Sequence, residues 1–164
     1  GSSPVSPLSS IGWPVDATAP IVASLSGFKL PNEHRLFLLD LKLSHVIGPM
    51  TFVHAHLDRL ALQEPSANLA IRSQLERDPH RIMTERDSLF SPKKFPGLLV
   101  HGHTPVHTVP IIGTAETRPK GEICIVQDRL NLDTGIAGHH YLSAVQLSAK
   151  GEILEVWQEK DLDC

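Results

Sequence analysis

The sequence predicts an α+β fold in which helices come early and mostly antiparallel strands come late. Three observations carry this. At 164 residues and 41% hydrophobic content, the chain has material for one domain with its own core. Apolar residues recur at helical spacing only in 32–43 and 66–90. After residue 97 short apolar runs follow one another between turn residues, as in a sheet or one half of a sandwich.

Residues 1–31 mix Ser, Pro and Gly with short apolar pieces and have no period, which predicts a loop-rich lead-in pinned by Trp13 rather than a separate domain. The domain itself is expected over 32–160. Asn32 suits an N-cap, and Leu36, Leu39 and Leu43 fall on one helical face that Phe37 and Leu38 widen. Gly48-Pro49 then breaks the chain, and "TFVHAHL" reads as a short strand with His54 at its end. From Ser66 to residue 90 the pattern is helical, heavily charged and interrupted at Pro79, so a surface cover is expected. "GLLVHG", "GEICIVQD" and "RLNLDTG" read as strands, and "YLSAVQLSAKGEILEVWQ" as a hairpin turning near Lys150-Gly151. Trp157 is expected half-buried on its edge strand.

The net charge of −3, with Lys and Arg dispersed, gives no basic stripe for nucleic acid and no polybasic membrane patch. No apolar run approaches the ~18 residues of a membrane span, so a soluble, cytoplasmic protein is expected. Cys124 and Cys164 make neither a disulfide framework nor a CxxC metal site. Ten histidines against one tyrosine are the compositional outlier.

Two stretches concentrate them. "LLVHGHTPV" (98–106) and "TFVHAHLD" (51–58) share one local grammar, an apolar run, a histidine and a turn. One such histidine is usually satisfied by a backbone hydrogen bond. Two of them, each at the mouth of a strand, point to a metal site, because a strand end presents imidazole where a ligand can reach it.

In order along the chain, "FVHA" (52–55), "VHGHTPV" (100–106) and "RLNLDTGIAG" (129–138) resemble the C-terminal half of the calcineurin-like metallophosphoesterases. Their bacterial serine/threonine phosphoprotein phosphatases and the related diadenosine tetraphosphatases are the most similar branch. The likeness spans about residues 30–148. It implies an α/β sandwich type of fold, the C-terminal part of a four-layer metallo-dependent phosphatase. It also implies hydrolysis of a phosphoester, in a phosphoprotein or a dinucleotide, by two divalent ions drawn from manganese, iron and zinc. By motif match, the resemblance assigns His54 and His103 as ligands of one ion. It gives His56, His101, His139 and His140 no ligand role. Asp133 lies near a strand end, with Thr134 and Gly135 shaping the turn after it.

The sequence departs from the family in two respects. His56 stands where the family usually has glycine, a larger group expected to crowd the site or add an imidazole. The family's Gly-Asp-x-His-Gly, Gly-Asp-x-x-Asp-Arg-Gly and Gly-Asn-His motifs, which hold the remaining ligands and the catalytic acid, do not occur in the 164 residues. No catalytic residue is therefore assigned. Three readings stand: part of a metal-dependent phosphatase completed by another segment or partner; a non-catalytic binding or scaffolding module; or a single-metal hydrolase using His54, His56, His101 and His103 with Asp58 or Asp133. Arg72, Arg77, Arg81 and Arg86 are candidates to meet a phosphate, none preferred. Half of a two-sheet core predicts an uncovered apolar face, and with it self-association or marginal stability.

Overall fold

A computed structural model describes residues 31–86, 91, 94–109 and 118–160. The lead-in with Trp13, and Cys164, lie outside the described residues.

The first helix among the described residues, α1 (Asn32–Asp40), begins after Pro31, whose carbonyl accepts the Arg35 N–H. It ends three residues before its expected limit, and Leu36 and Phe37 remain exposed. Leu43, released from the helix, joins the core instead. Strands β1 (Ser44–Ile47) and β2 (Met50–Val53) form a tight antiparallel hairpin around Gly48, whose φ of 56° suits a glycine turn. The sequence reading had given β1 no element.

From β2 the chain crosses over through α2 (Ala67–Arg77) and the short α3 (Arg81–Thr84) to β3 (Leu98–His101). Ser66 caps α2 by accepting the Leu69 N–H, and Pro79 separates the two helices as the sequence implied. The expected surface cover is in fact half core: Ala70, Ile71, Gln74 and Ile82 are buried. Charge on one face of an amphipathic helix had masked the apolar stripe on the other. Ala70, Ile71 and Ile82 pack with Leu43, Leu57, Ala61, Leu62, Phe95 and Leu99 in one cluster.

Strands β4 (Cys124–Val126) and β5 (Arg129–Asn131) complete a five-stranded sheet of order β1-β2-β3-β5-β4. The late strands are mostly antiparallel as expected, in the β4–β5 pair and in the C-terminal hairpin, but the middle of this sheet is parallel. β2, β3 and β5 run parallel side by side, and only the outer β1 and β4 are antiparallel to their neighbours. The reason is visible in β3, where Leu99, Val100 and His101 are all buried. A strand covered on both faces belongs in the parallel middle of a sheet. A four-residue turn of helix, α4 (Ile136–His139), leads to the hairpin β6 (Tyr141–Leu147) and β7 (Ile153–Lys160), a separate two-stranded sheet. The whole is a mixed α+β architecture with few helices. Among the described residues no helix is long and apolar enough to cross a membrane.

Candidate metal site

Because β2, β3 and β5 are parallel neighbours, their carboxyl ends open on the same edge of the sheet. In sheets with parallel strands, ligands are taken up in the crevice beyond these ends. The chain places His54 one residue past β2, His103 two past β3 and Asp133 two past β5.

Backbone hydrogen bonds fix each loop. Ala55 N–H donates to the Ile82 carbonyl at 3.0 Å, tying the His54 bend to the end of α3, and Gly102 N–H donates to the His54 carbonyl at 2.9 Å. His103 lies at the centre of a three-residue turn closed by Thr104 N–H to the Gly102 carbonyl at 2.8 Å. Its φ is 67°. A γ-turn with positive φ at its centre is the strained form, and for a residue other than glycine such strain is stored where function needs it. Buried Asn131 holds that turn against the next loop. Its amide nitrogen donates to the Thr104 carbonyl at 2.8 Å, and its amide oxygen accepts the Asp133 N–H at 2.9 Å.

The outcome is a close imidazole pair. His54 Nε2 and His103 Nδ1 are 3.2 Å apart, and Arg86 Nε donates to His103 Nε2 at 3.3 Å. A guanidinium only donates, so His103 Nε2 accepts, Nδ1 carries the proton, and that proton points at His54. Partial burial first, then the charges of Arg86 and His54, lower the His103 pKa from its ordinary value, with Asp133 opposing. Asp133 borders the pair: a side chain on Gly102 would meet its Cβ at 3.6 Å.

His56 and His101 go elsewhere. The chain bends at His54 and Ala55, which ends strand alternation, and His56 turns into the interior, fully buried. It neither crowds the exposed pair nor adds a donor to it. His101, the buried last residue of β3, packs edge to face against it with ring centroids 5.0 Å apart. Burial is the leading cause that lowers the pKa to about 3 for His56 and about 4 for His101. Asp58 is also structural, its Oδ1 accepting from the Leu60 and Ala61 backbone and from Arg77.

Of the four candidate arginines, Arg72 pairs with Glu76, Arg77 with Asp58, and Arg81 with Asp78 and Glu85. Arg86 is the one that reaches the histidine pair. No periodicity in the sequence singled it out, nor Asn131, whose only signal is a polar residue at the end of a buried strand.

The donor set fits a shared divalent ion in part. Two imidazole nitrogens on one tetrahedral ion stand ~3.3 Å apart, given metal–nitrogen bonds of ~2.0–2.1 Å. The 3.2 Å observed is close to that span. Among the described residues no group of three or more His, Cys, Asp or Glu side chains converges to complete the shell. Comparison of the chain with protein-family models, curated proteins and solved structures returns no match.

Proposed function

We propose that the chain carries part of the site of a metal-dependent phosphoester hydrolase of the serine/threonine protein phosphatase type. His54 and His103 hold one divalent ion, and the remaining coordination positions are filled by water or by ligands from another polypeptide segment. The observation that carries this reading is the 3.2 Å approach of the two ring nitrogens at the carboxyl edge of the parallel strands.

A bound divalent ion activates a coordinated water as nucleophile and withdraws charge from phosphoryl oxygens. The protein's own groups prepare for that. The lowered pKa of His103 favours its neutral ring, the form that ligates. If Nδ1 held an ion, the His103 ring proton would sit on Nε2, facing the Arg86 guanidinium. Two donors would not share that contact, which would free the Arg86 N–H fork for a phosphoryl oxygen. Asp133, beside the pair, adds negative potential that favours a cation.

Hydrolysis of an aryl phosphate with added Mn²⁺ tests this. Metal-dependent turnover lost in both His54→Ala and His103→Ala supports the reading, and turnover that survives both substitutions overturns it. The absence of a third converging ligand among the described residues favours one second reading, a non-catalytic module that binds a single ion. Mn²⁺ bound by His54 and His103 without turnover selects it.

A further inference from the structure

A second imidazole pair occupies the same cluster of loops. The turn Val106–Thr108 and helix α4 bring His107 Nε2 to 2.8 Å from His139 Nε2, with rings edge to face at 85°. We infer that His107 and His139 form a second site, for a borderline divalent transition ion such as zinc, distinct from the His54–His103 pair and independent of its proposed role.

Both rings are delivered by fastened backbone. Val106 N–H donates to the Asp133 carbonyl at 2.8 Å, Gly135 N–H to Asp133 Oδ1 at 3.1 Å, and His139 N–H to the Gly135 carbonyl at 2.7 Å. The two histidine loops are thereby tied to one turn. Gly135, at φ 92°, leaves the space the rings fill: a Cβ there would stand 3.3 Å from His139 Cδ2 and 3.5 Å from His107 Cε1. His107 Nδ1 is buried and has no hydrogen-bond partner among the described residues, so Nε2 is the nitrogen through which this ring acts.

Taking up an ion widens the nitrogen separation from 2.8 Å to ~3.3 Å, a movement within the side-chain freedom of His139. The proton balance also closes. In the neutral pair one ring donates from Nε2 to the other; with an ion bound, both rings would carry their protons on Nδ1 and no net proton would be released, but the buried His107 Nδ1–H, which has no partner among the described residues, would weaken the site. Two neutral imidazoles suit borderline ions such as zinc, nickel or copper. The positive charge of Lys120 near His139 opposes a cation, and only two protein donors are supplied. The site therefore binds less tightly than a four-ligand structural zinc centre and keeps open positions for water or an exogenous ligand.

Zinc binding by equilibrium dialysis to the His54→Ala/His103→Ala chain, with and without His139→Ala, is the test. The double variant is expected to bind one zinc ion whose affinity falls at least ~10-fold on loss of His139. Zinc binding unchanged by the third substitution, or absent from the double variant, overturns the assignment. Ring-nitrogen NMR of the unsubstituted chain checks it without relying on the triple variant's folding. Zinc must shift the Nε2 resonances of His107 and His139, and unmoved resonances reject the site. Failure of the His54–His103 reading is scored separately, by metal binding and turnover in His54→Ala and His103→Ala, which keep His107 and His139.

Discussion

His56 and His101 meet edge to face inside the protein, ring centroids 5.0 Å apart and planes at 88°. Both pKa values lie below the ordinary 6.5, at about 3 and about 4. Between pH 6.5 and 4 the unfolded chain therefore binds more protons than the folded one. Stability is full above the unfolded pKa and lost as pH falls. With two such groups the slope approaches ~2.7 kcal/mol per pH unit. Urea unfolding at pH 6 and pH 5 is expected to differ by ~2 kcal/mol or more, and His56→Phe to remove about half of that difference. Equal midpoints at the two pH values contradict the assignment of these rings as neutral core residues.

Asn131 joins the turn that carries His103 to the loop that carries Asp133. Asn131→Ala leaves the Thr104 carbonyl and the Asp133 N–H without this partner, a loss of ~2 kcal/mol. Because the strained φ of His103 depends on its surroundings, metal affinity is expected to fall as well. Calorimetry of folding and of Mn²⁺ binding separates the two effects; a variant that loses stability but keeps full affinity removes Asn131 from the positioning of His103.

Asp58 receives two backbone N–H groups and the Arg77 guanidinium on one oxygen, and its own N–H donates to the buried Gln74 side chain at 2.8 Å. Asp58→Ala is expected to destabilise the chain by ~2–3 kcal/mol, through the lost turn hydrogen bonds and the broken, mostly buried ion pair. Metal binding at His54 is expected to persist. Loss of binding at full stability would instead make Asp58 a ligand.

Gly97 has φ 114°, and a Cβ there would collide with the Pro49 carbonyl oxygen, which also accepts the Leu98 N–H at 2.9 Å. That contact sets where β3 joins β2. Gly97→Ala is expected to cost ~3 kcal/mol or more, since backbone on both sides must move. Chemical unfolding measures it, and a loss under 1 kcal/mol would show that this junction relaxes freely.

The strands after residue 97 and the break at Pro79 were legible in the sequence because each is a local event: an apolar run, a turn residue, a missing N–H. The antiparallel hairpin 141–160 was legible too, but the parallel run of the central strands was not. Nothing in "LLVH" or "RLN" distinguishes a parallel partner from an antiparallel one until both faces are known to be covered. The same holds for the histidines. The repeated turn pointed to His54, His56, His101 and His103 alike, and the resemblance chose His54 and His103 among them; the pattern could not say that His56 faces inward, because that depends on where alternation stops. The partnership of His107 with His139, 32 residues apart, is set by the crossing of two loops and leaves no local trace.

The most direct measurement is Mn²⁺ titration followed by the electron paramagnetic resonance signal of the free ion, on the unsubstituted chain, His54→Ala and His103→Ala. The account predicts one ion held by the unsubstituted chain and an affinity at least ~10-fold weaker in each variant. Equal binding by all three would contradict it, leaving His54 and His103 as a hydrogen-bonded pair that shares no ion.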